Sequence, residues 1–198
     1  LYHYLKRFQN RSLTRLFKKL ADREVELFET HSSDEWCWFD DRLTYSSSKL
    51  PESLFYAYEL TKDTRYLSVA HKAFQFLKRI TYEKGRYAPI GQAGWYVRDK
   101  KRSYFDQQPE DTAAMVQTNV VAYLTTGRKR YAQDAYTAFE WFLGKNHLGL
   151  MVYDEVTGGC HDGLGKDALN LNQGAEATVS YLMARLAIEK VRGVLHIA

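Results

Sequence analysis

Apolar positions recur along the chain with the spacing of amphipathic helices, and two segments repeat the same pattern. Segment 61–77 (TKDTRYLSVAHKAFQFL) aligns with segment 126–143 (TGRKRYAQDAYTAFEWFL). Apolar residues at i, i+4, i+7 and i+11 predict a helix with one buried face. The matching positions are Tyr66, Ala70, Ala73 and Leu77 in the first segment, and Tyr131, Ala135, Ala138 and Phe142 in the second.

Each of these helices follows a short polar turn and an earlier helix that also repeats. Pro51-Glu52 and Pro109-Glu110 predict the starts of the earlier helices, because proline suits the first turn and an acid complements the helix dipole. Gly127 suits the residue just after a helix. The repeat therefore consists of antiparallel helical hairpins.

Two further helices extend the pattern toward both ends of the chain. Residues 5–30 predict a long helix of mixed charge, and residues 174–191 predict a helix with an apolar stripe. Asn170 and Asn172 are candidate caps for the second helix. The stripe consists of Ala175, Thr178, Val179, Leu182 and Leu186.

Three long loops, at about 31–50, 82–108 and 146–173, alternate with the short turns. Loops of this length are uncommon unless they carry function. Because short and long connections alternate, all three long loops emerge from one end of the helices. We predict an all-α fold, a partial (α/α) toroid of antiparallel hairpins with long loops on one face. Residues 1–198 are expected to form a single domain that is a fragment or an incomplete ring.

Charge and cysteine content argue against several functional classes. The net charge of +4 is mild. The basic cluster Arg98–Arg102 includes Asp99, which favours a solvated loop over a nucleic-acid site. Cys37 and Cys160 lack metal-binding spacing, so we expect reduced thiols and a cytoplasmic protein, with one disulfide as the alternative. We expect no metal, no cofactor and no membrane-spanning segment, since no apolar stretch is long enough.

The three long loops combine aromatic side chains with carboxylates and carboxamides. An aromatic ring offers a platform to the C–H face of a sugar, while polar side chains bind its hydroxyl groups. This mixture predicts binding of an oligosaccharide or other glycan. The candidate binding residues are Trp36, Trp38, Tyr45, Glu52, Trp95, Gln107, Gln108, Asp111, His161, Asp162, Asn172 and Gln173.

Several acids could perform glycoside chemistry, which requires two carboxyl groups flanking the bond. The candidate catalytic residues are Asp40, Asp41, Asp106 and Glu176. The junction DQQPED at 106–111 aligns with LNQGAE at 171–176 and pairs Asp111 with Glu176. An acid in a first helical turn can also serve only as a cap, so both interpretations of Asp111 and Glu176 stay open.

The string WCWFDDRLTYSSSKLPESLFYAYELTKDTRYLSVA resembles a segment of bacterial six-hairpin (α/α-toroid) proteins that occur beside, or fused to, glycosyltransferases. DQQPEDTAAMV and TGGCHDGL…LNQGAEATVSYLMA resemble later motifs of the same proteins, so the resemblance covers roughly residues 34–190. It implies a six-hairpin glycosidase-like fold and suggests a glycosyltransferase as partner or fused domain.

These observations lead to two functional hypotheses. The first is a carbohydrate-active or carbohydrate-binding domain that acts on glycosidic bonds through its loop carboxylates, if it is an enzyme. The second is a non-catalytic helical-repeat interaction domain that serves a glycosyltransferase. Fold alone does not choose between them.

Overall fold

In the computed structural model, the chain folds into antiparallel helical hairpins, and the structure describes residues 1–195. Helices make up about 53% of the described residues. The helices of the described residues are α1 (Tyr2–Leu5), α2 (Arg11–His31), α3 (Lys49–Thr61), α4 (Thr64–Thr81), α5 (Pro109–Thr126), α6 (Lys129–Phe139), α7 (Ala175–Glu189) and α8 (Arg192–Leu195). The short strands are β1 (Arg42–Leu43), β2 (Tyr82–Glu83), β3 (Arg86–Tyr87), β4 (Tyr96–Val97), β5 (Gly163–Leu164) and β6 (Leu169–Asn170).

The main helices form an inner and an outer layer. The inner helices α3, α5 and α7 each follow a long loop, and α5 contacts both of the others. In the outer layer, α4 packs against α3 and α6 packs against α5 and α7. The predicted all-α fold, with the long loops at one end of the inner helices, is confirmed.

The turns after α3 and α5 are equivalent in the repeat and share one backbone conformation. Gly127 has a φ of 70° and donates its N–H to Tyr123 O at 2.7 Å. Lys62 occupies the equivalent position with a φ of 61° and donates its N–H to Tyr58 O. Both turns therefore end a helix in the left-handed region, where glycine is favoured over lysine.

The long helix predicted for residues 5–30 is confirmed from Arg11 onward as α2, but residues 6–10 interrupt it and separate α1 from α2. Asn10 has an extended backbone, and its Oδ1 accepts a hydrogen bond from Leu13 N at 2.9 Å. This is an N-cap, which starts a new helix at Arg11.

The apolar stripe predicted for α7 lies on the exposed side of the helix. Val179, Leu182 and Leu186 are exposed, whereas Ala177 and Ala184 are buried. The packed side of α7 combines alanines, whose small side chains let helix backbones approach closely, with two larger buried residues, Tyr181 and Ile188.

The long loops, residues 32–48, 82–108 and 140–174, are joined side by side by short antiparallel pairings. Leu43 of β1 pairs with Tyr96 of β4, which links the first and second loops. Gln107 and Leu164 exchange backbone hydrogen bonds of 2.9 Å, which link the second and third loops. The loops therefore form one continuous layer over the N-terminal ends of α3, α5 and α7.

Candidate functional site

A groove of about 480 Å³ lies where the first long loop meets the first turns of α5 and α7. We call it the α5–α7 groove. Its polar lining comes from three separate segments of the chain. The lining residues that matter for its chemistry are Tyr45, Lys49, Glu110, Gln117 and Glu176.

Glu110 and Glu176 occupy the second positions of α5 and α7 and bring two carboxyl groups together. Glu110 is half-buried, and Glu176 is exposed to the groove. Burial raises the pKa of the Glu110 carboxyl, and the nearby charge of Glu176 raises it further. Hydrogen bonds from Tyr45 and from the Glu110 backbone act in the opposite direction. Two neighbouring carboxyl groups resist ionising together, so one can stay protonated while the other is charged, as acid–base chemistry at a glycosidic bond requires.

Tyr45 connects this acid pair to the entrance of α5. Its hydroxyl donates toward Glu110 Oε1 at 3.0 Å and contacts Gln108 Oε1. Burial and the neighbouring Glu110 raise the pKa of Tyr45, so the phenol stays protonated and remains a donor. The ring of Trp95 meets that of Tyr45 edge-on at a centroid distance of 5.5 Å. Tyr45 and Trp95 therefore place aromatic surface beside the two carboxyl groups.

Asp111 lies next to Glu110 in the chain but points into the protein. Its Oδ1 accepts a hydrogen bond from Ser46 N at 2.7 Å. Burial raises the pKa of Asp111 to about 7, opposed by the Ser46 hydrogen bond and assisted by Glu110. Ser46 has a φ of 47°, a conformation that is uncommon for residues other than glycine. Asp111 therefore holds the turn that carries Tyr45.

The groove continues along the inner helices into a second cavity of about 900 Å³. Gln117 and Met183 line both spaces. At the junction, Lys49 Nζ donates to Glu52 Oε2 at 2.8 Å and also to Gln117 Oε1. Glu52 thus lies in the second cavity and is tied to the α5–α7 groove through Lys49.

Of the four predicted catalytic acids, only Glu176 lines the α5–α7 groove. Asp40 accepts a hydrogen bond from Arg42 N, and Asp41 forms an ion pair with Arg98 at 3.6 Å. Asp106 is exposed in a left-handed turn with a φ of 53°. The structure does not bring Asp40, Asp41 and Asp106 to the α5–α7 groove, because each follows its own local turn.

Two of the predicted aromatic platforms lie in the core. Trp36 is 4% exposed and packs edge-on against Phe76, while its Nε1 donates to Asp40 O at 2.6 Å. Trp38 is 1% exposed and packs against Phe39. Neither ring has a face available to a sugar, so we correct their assignment to core residues. Trp95 and Tyr45 keep exposed surface.

The predicted polar binding residues Gln107 and Gln173 hold the loops together. Gln107 is buried, and its Oε1 accepts a hydrogen bond from Trp141 Nε1 at 2.8 Å. Gln173 donates to Asp154 Oδ2 and accepts from Thr157 Oγ1. Their amide groups are occupied by protein partners and do not line the α5–α7 groove.

The remaining predicted binding residues brace the entrance of α7. Asp162 Oδ1 accepts a hydrogen bond from Gly174 N at 2.7 Å, and its Oδ2 accepts one from Asn172 Nδ2. His161 Nδ1 lies 3.2 Å from Leu171 O. Asn170 and Asn172 were expected to cap α7, but Gly174 is its N-cap and Asp162 binds the Gly174 N–H instead.

Sequence reasoning missed Glu110 as a site residue. The repeat alignment pairs Asp111 with Glu176, whereas the structure places Glu110 beside Glu176 and turns Asp111 inward. The available signal was the Pro109-Glu110 helix start, since α5 begins at Pro109 and residues 109 and 110 are then its first two positions. Gln117 gave no signal, because it lies within a helix that the sequence assigned to packing. Lys49 lies at the end of the predicted loop 31–50, where no role was assigned to it, and the structure includes it in α3.

Within residues 1–195, no group of three or more His, Cys, Asp or Glu side chains could hold a metal ion. Cys37 and Cys160 are both free thiols. In the part of the chain that the structure describes, no helix combines the length and apolar character needed to cross a bilayer.

Comparison with protein-family models finds no match, and no curated protein sequence matches the chain. Among solved structures, the fold is similar to "Glycoside hydrolase family 76 (mannosidase) Bt3792 from Bacteroides thetaiotaomicron VPI-5482", with a TM-score of 0.57 and 16% sequence identity. The match covers 76% of this chain and 40% of that structure. At this identity the similarity shows the fold alone, which is an (α/α) toroid of helical hairpins. The chain spans less than half the length of that structure.

Proposed function

We propose that this chain is a carbohydrate-active toroid domain that cleaves a glycosidic bond with Glu110 and Glu176. The observation that carries the proposal is the pairing of these two carboxyl groups in the α5–α7 groove. Glu110, whose pKa is raised by burial, supplies the proton to the leaving oxygen. Glu176, which is exposed, stabilises the positive charge at the anomeric carbon and acts as nucleophile or as base toward water.

The groove also offers the contacts that a sugar needs. Tyr45 and Trp95 supply aromatic surface, and Lys49 and Gln117 supply polar groups for hydroxyls. The adjoining second cavity gives room for further sugar units along the inner helices. The structural relative is described as a mannosidase, so mannose-containing oligosaccharides are the first substrates to test.

The proposal is tested by incubating the chain with a panel of oligosaccharides, mannosides included, and measuring released reducing sugar. Glu110→Gln and Glu176→Gln should each lower turnover by about 100-fold or more while the circular dichroism spectrum is unchanged. Glu155→Gln is the matched control, because Glu155 is exposed in the third loop, away from the groove. Asp106→Asn should keep activity, which separates this site from the one predicted from sequence.

Binding is measured separately from turnover through tryptophan fluorescence. Trp36, Trp38 and Trp141 are buried, whereas Trp95 lies beside Tyr45 at the groove. A fluorescence change on adding oligosaccharide should therefore disappear in Trp95→Phe. Full activity in both Glu→Gln variants, or binding without any cleavage across the panel, would remove the catalytic claim.

The exposed apolar face of α7 favours a second candidate function, a non-catalytic interaction domain. Val179, Leu182, Met183 and Leu186 form this face. Such a domain would bind a partner protein, for which a glycosyltransferase is the candidate given by the sequence resemblance. Binding of that partner that is lost in Leu182→Lys and kept in Glu110→Gln would support this alternative.

A further inference from the structure

A third, much smaller cavity lies behind the first turn of α5, on the side away from the α5–α7 groove. Its volume is about 20 Å³. Asp111 and Ser48 contribute polar atoms to it, and Leu77, Ile90 and Met115 contribute apolar surface.

Two polar atoms at this cavity have no hydrogen-bond partner among residues 1–195. They are Asp111 Oδ2 and Ser48 Oγ, and both are buried. Asp111 is 9% exposed and Ser48 is 3% exposed. Ser48 is the N-cap of α3, yet its hydroxyl makes no capping hydrogen bond. Leaving a buried carboxyl oxygen and a hydroxyl unpaired is unfavourable, so both atoms require a partner at this position.

The size and chemistry of the cavity select that partner. A buried water needs about 10–15 Å³ of accessible volume and two to four polar neighbours. A cavity of about 20 Å³ holds one water and is too small for two. Thr81 Oγ1 donates to Leu77 O, and Tyr87 OH donates to Asp111 O. The hydroxyl oxygens of Thr81 and Tyr87 can therefore each still accept a hydrogen bond from a water.

We infer that one ordered water binds in this cavity between Asp111 Oδ2 and Ser48 Oγ. It donates a hydrogen bond to the carboxylate and fixes the orientation of Asp111. The other oxygen, Oδ1, then holds Ser46 N in its left-handed turn, and the adjacent Tyr45 reaches Glu110. Asp111 is thereby a positioning residue for the α5–α7 groove. This last step rests on the proposed function, whereas the water site itself does not.

The direct test is a crystal structure at about 1.5 Å resolution or better. Density for one water within about 3.2 Å of both Asp111 Oδ2 and Ser48 Oγ is expected. Well-ordered side chains with no density between them would overturn the inference.

The functional test compares Ser48→Thr with Ser48→Val, which have nearly the same shape and differ in the hydroxyl. Ser48→Val should melt about 2–4 °C below Ser48→Thr, because the water loses a partner. The same pair at Ser68, which is exposed on α4, is the matched control and should show no such difference. Equal melting temperatures for the two Ser48 variants would contradict the assigned water.

Positioning is measured on the Tyr45 side chain. In a crystal structure of Ser48→Val, Tyr45 should lie away from Glu110, whereas Ser48→Thr should keep the contact. If the chain cleaves glycosides, Ser48→Val should lower kcat about tenfold with little change in KM. Absence of all activity would refute the proposed function and leave the water to be decided by density and melting temperature. An unmoved Tyr45 would remove the positioning role.

Discussion

At the scale of single residues, the adjacent acids Glu110 and Asp111 show how a difference of one position changes the chemistry of a carboxyl group. Glu110 faces the α5–α7 groove and Glu176, whereas Asp111 is buried against Ser46. Successive residues on a helix point about 100° apart, so neighbours in the first turn of α5 face different surroundings. One acid is available to substrate and the other supports the turn that carries Tyr45.

The raised pKa of Asp111 predicts a pH dependence of stability. The pKa is about 7 in the folded protein and about 4 when unfolded, so the folded state binds more protons between these values. The free energy of unfolding should therefore fall as pH rises from about 4 to about 7, by about 1–3 kcal/mol, and level off above. Asp111→Asn should flatten this fall, as measured by urea unfolding across the pH range.

Glu24 belongs in the same experiment, because burial raises its pKa to about 7 as well. Glu24→Gln should remove a further part of the fall in the free energy of unfolding as pH rises. The substitution Glu155→Gln, at an exposed position, should remove none of it. A pH dependence in Asp111→Asn that runs parallel to that of the unaltered chain would contradict the buried-acid assignment.

At the scale of elements, the turns after α3 and α5 adopt the same left-handed backbone conformation with different residues. Gly127 adopts its left-handed conformation without a side-chain clash, and space around it is open. Lys62 adopts the same conformation with a side chain, which carries strain. The two turns are therefore a matched pair within one molecule.

Exchanging the residues at these turns should change stability in opposite directions. Gly127→Lys should lower the free energy of unfolding by about 1 kcal/mol, because it introduces left-handed strain. Lys62→Gly should raise it, by less than about 1 kcal/mol, since glycine also gains entropy in the unfolded chain. Thermal unfolding of both variants is the measurement. Stabilisation by Gly127→Lys would show that strain at the turn is not the controlling factor.

At the scale of the whole molecule, α5 lies at the centre of the packed helices. It contacts α3, α6 and α7, and most of its residues are buried. In contrast, the buried residues of α2 are Ala21, Val25 and Phe28, all in the second half of that helix. Packing is therefore dense at the middle of the molecule and sparse along residues 11–20.

This distribution predicts a gradient of local stability. Backbone amides of α5 should exchange with solvent most slowly, and those of residues 11–20 should exchange fastest among the main helices. Hydrogen exchange followed by mass spectrometry measures both. Val116→Ala creates a cavity in the centre of α5 and should accelerate amide exchange throughout α3, α5 and α7. Leu16→Ala, at an exposed position of α2, should have only a local effect. Uniform protection across α2 and α5 would contradict this picture.

The main helices, their hairpin order and the common end of the long loops could be predicted from the sequence, because they follow from local periodicity, turn residues and the alternation of connection lengths. It also placed Tyr45, Gln108, Asp111 and Glu176 among the candidates that the structure brings to the α5–α7 groove or directly behind it.

Only the tertiary structure decided which acids and aromatic residues share a surface. Trp36, Trp38 and Trp95 all lie in predicted loops that are rich in aromatic and acidic residues, yet packing places the first two in the core. Glu110 has the signal of a helix-capping acid, yet the contact between α5 and α7 places it beside Glu176. Such pairings depend on the rotation and spacing of packed helices, which are set by side chains distant in sequence and leave no local pattern.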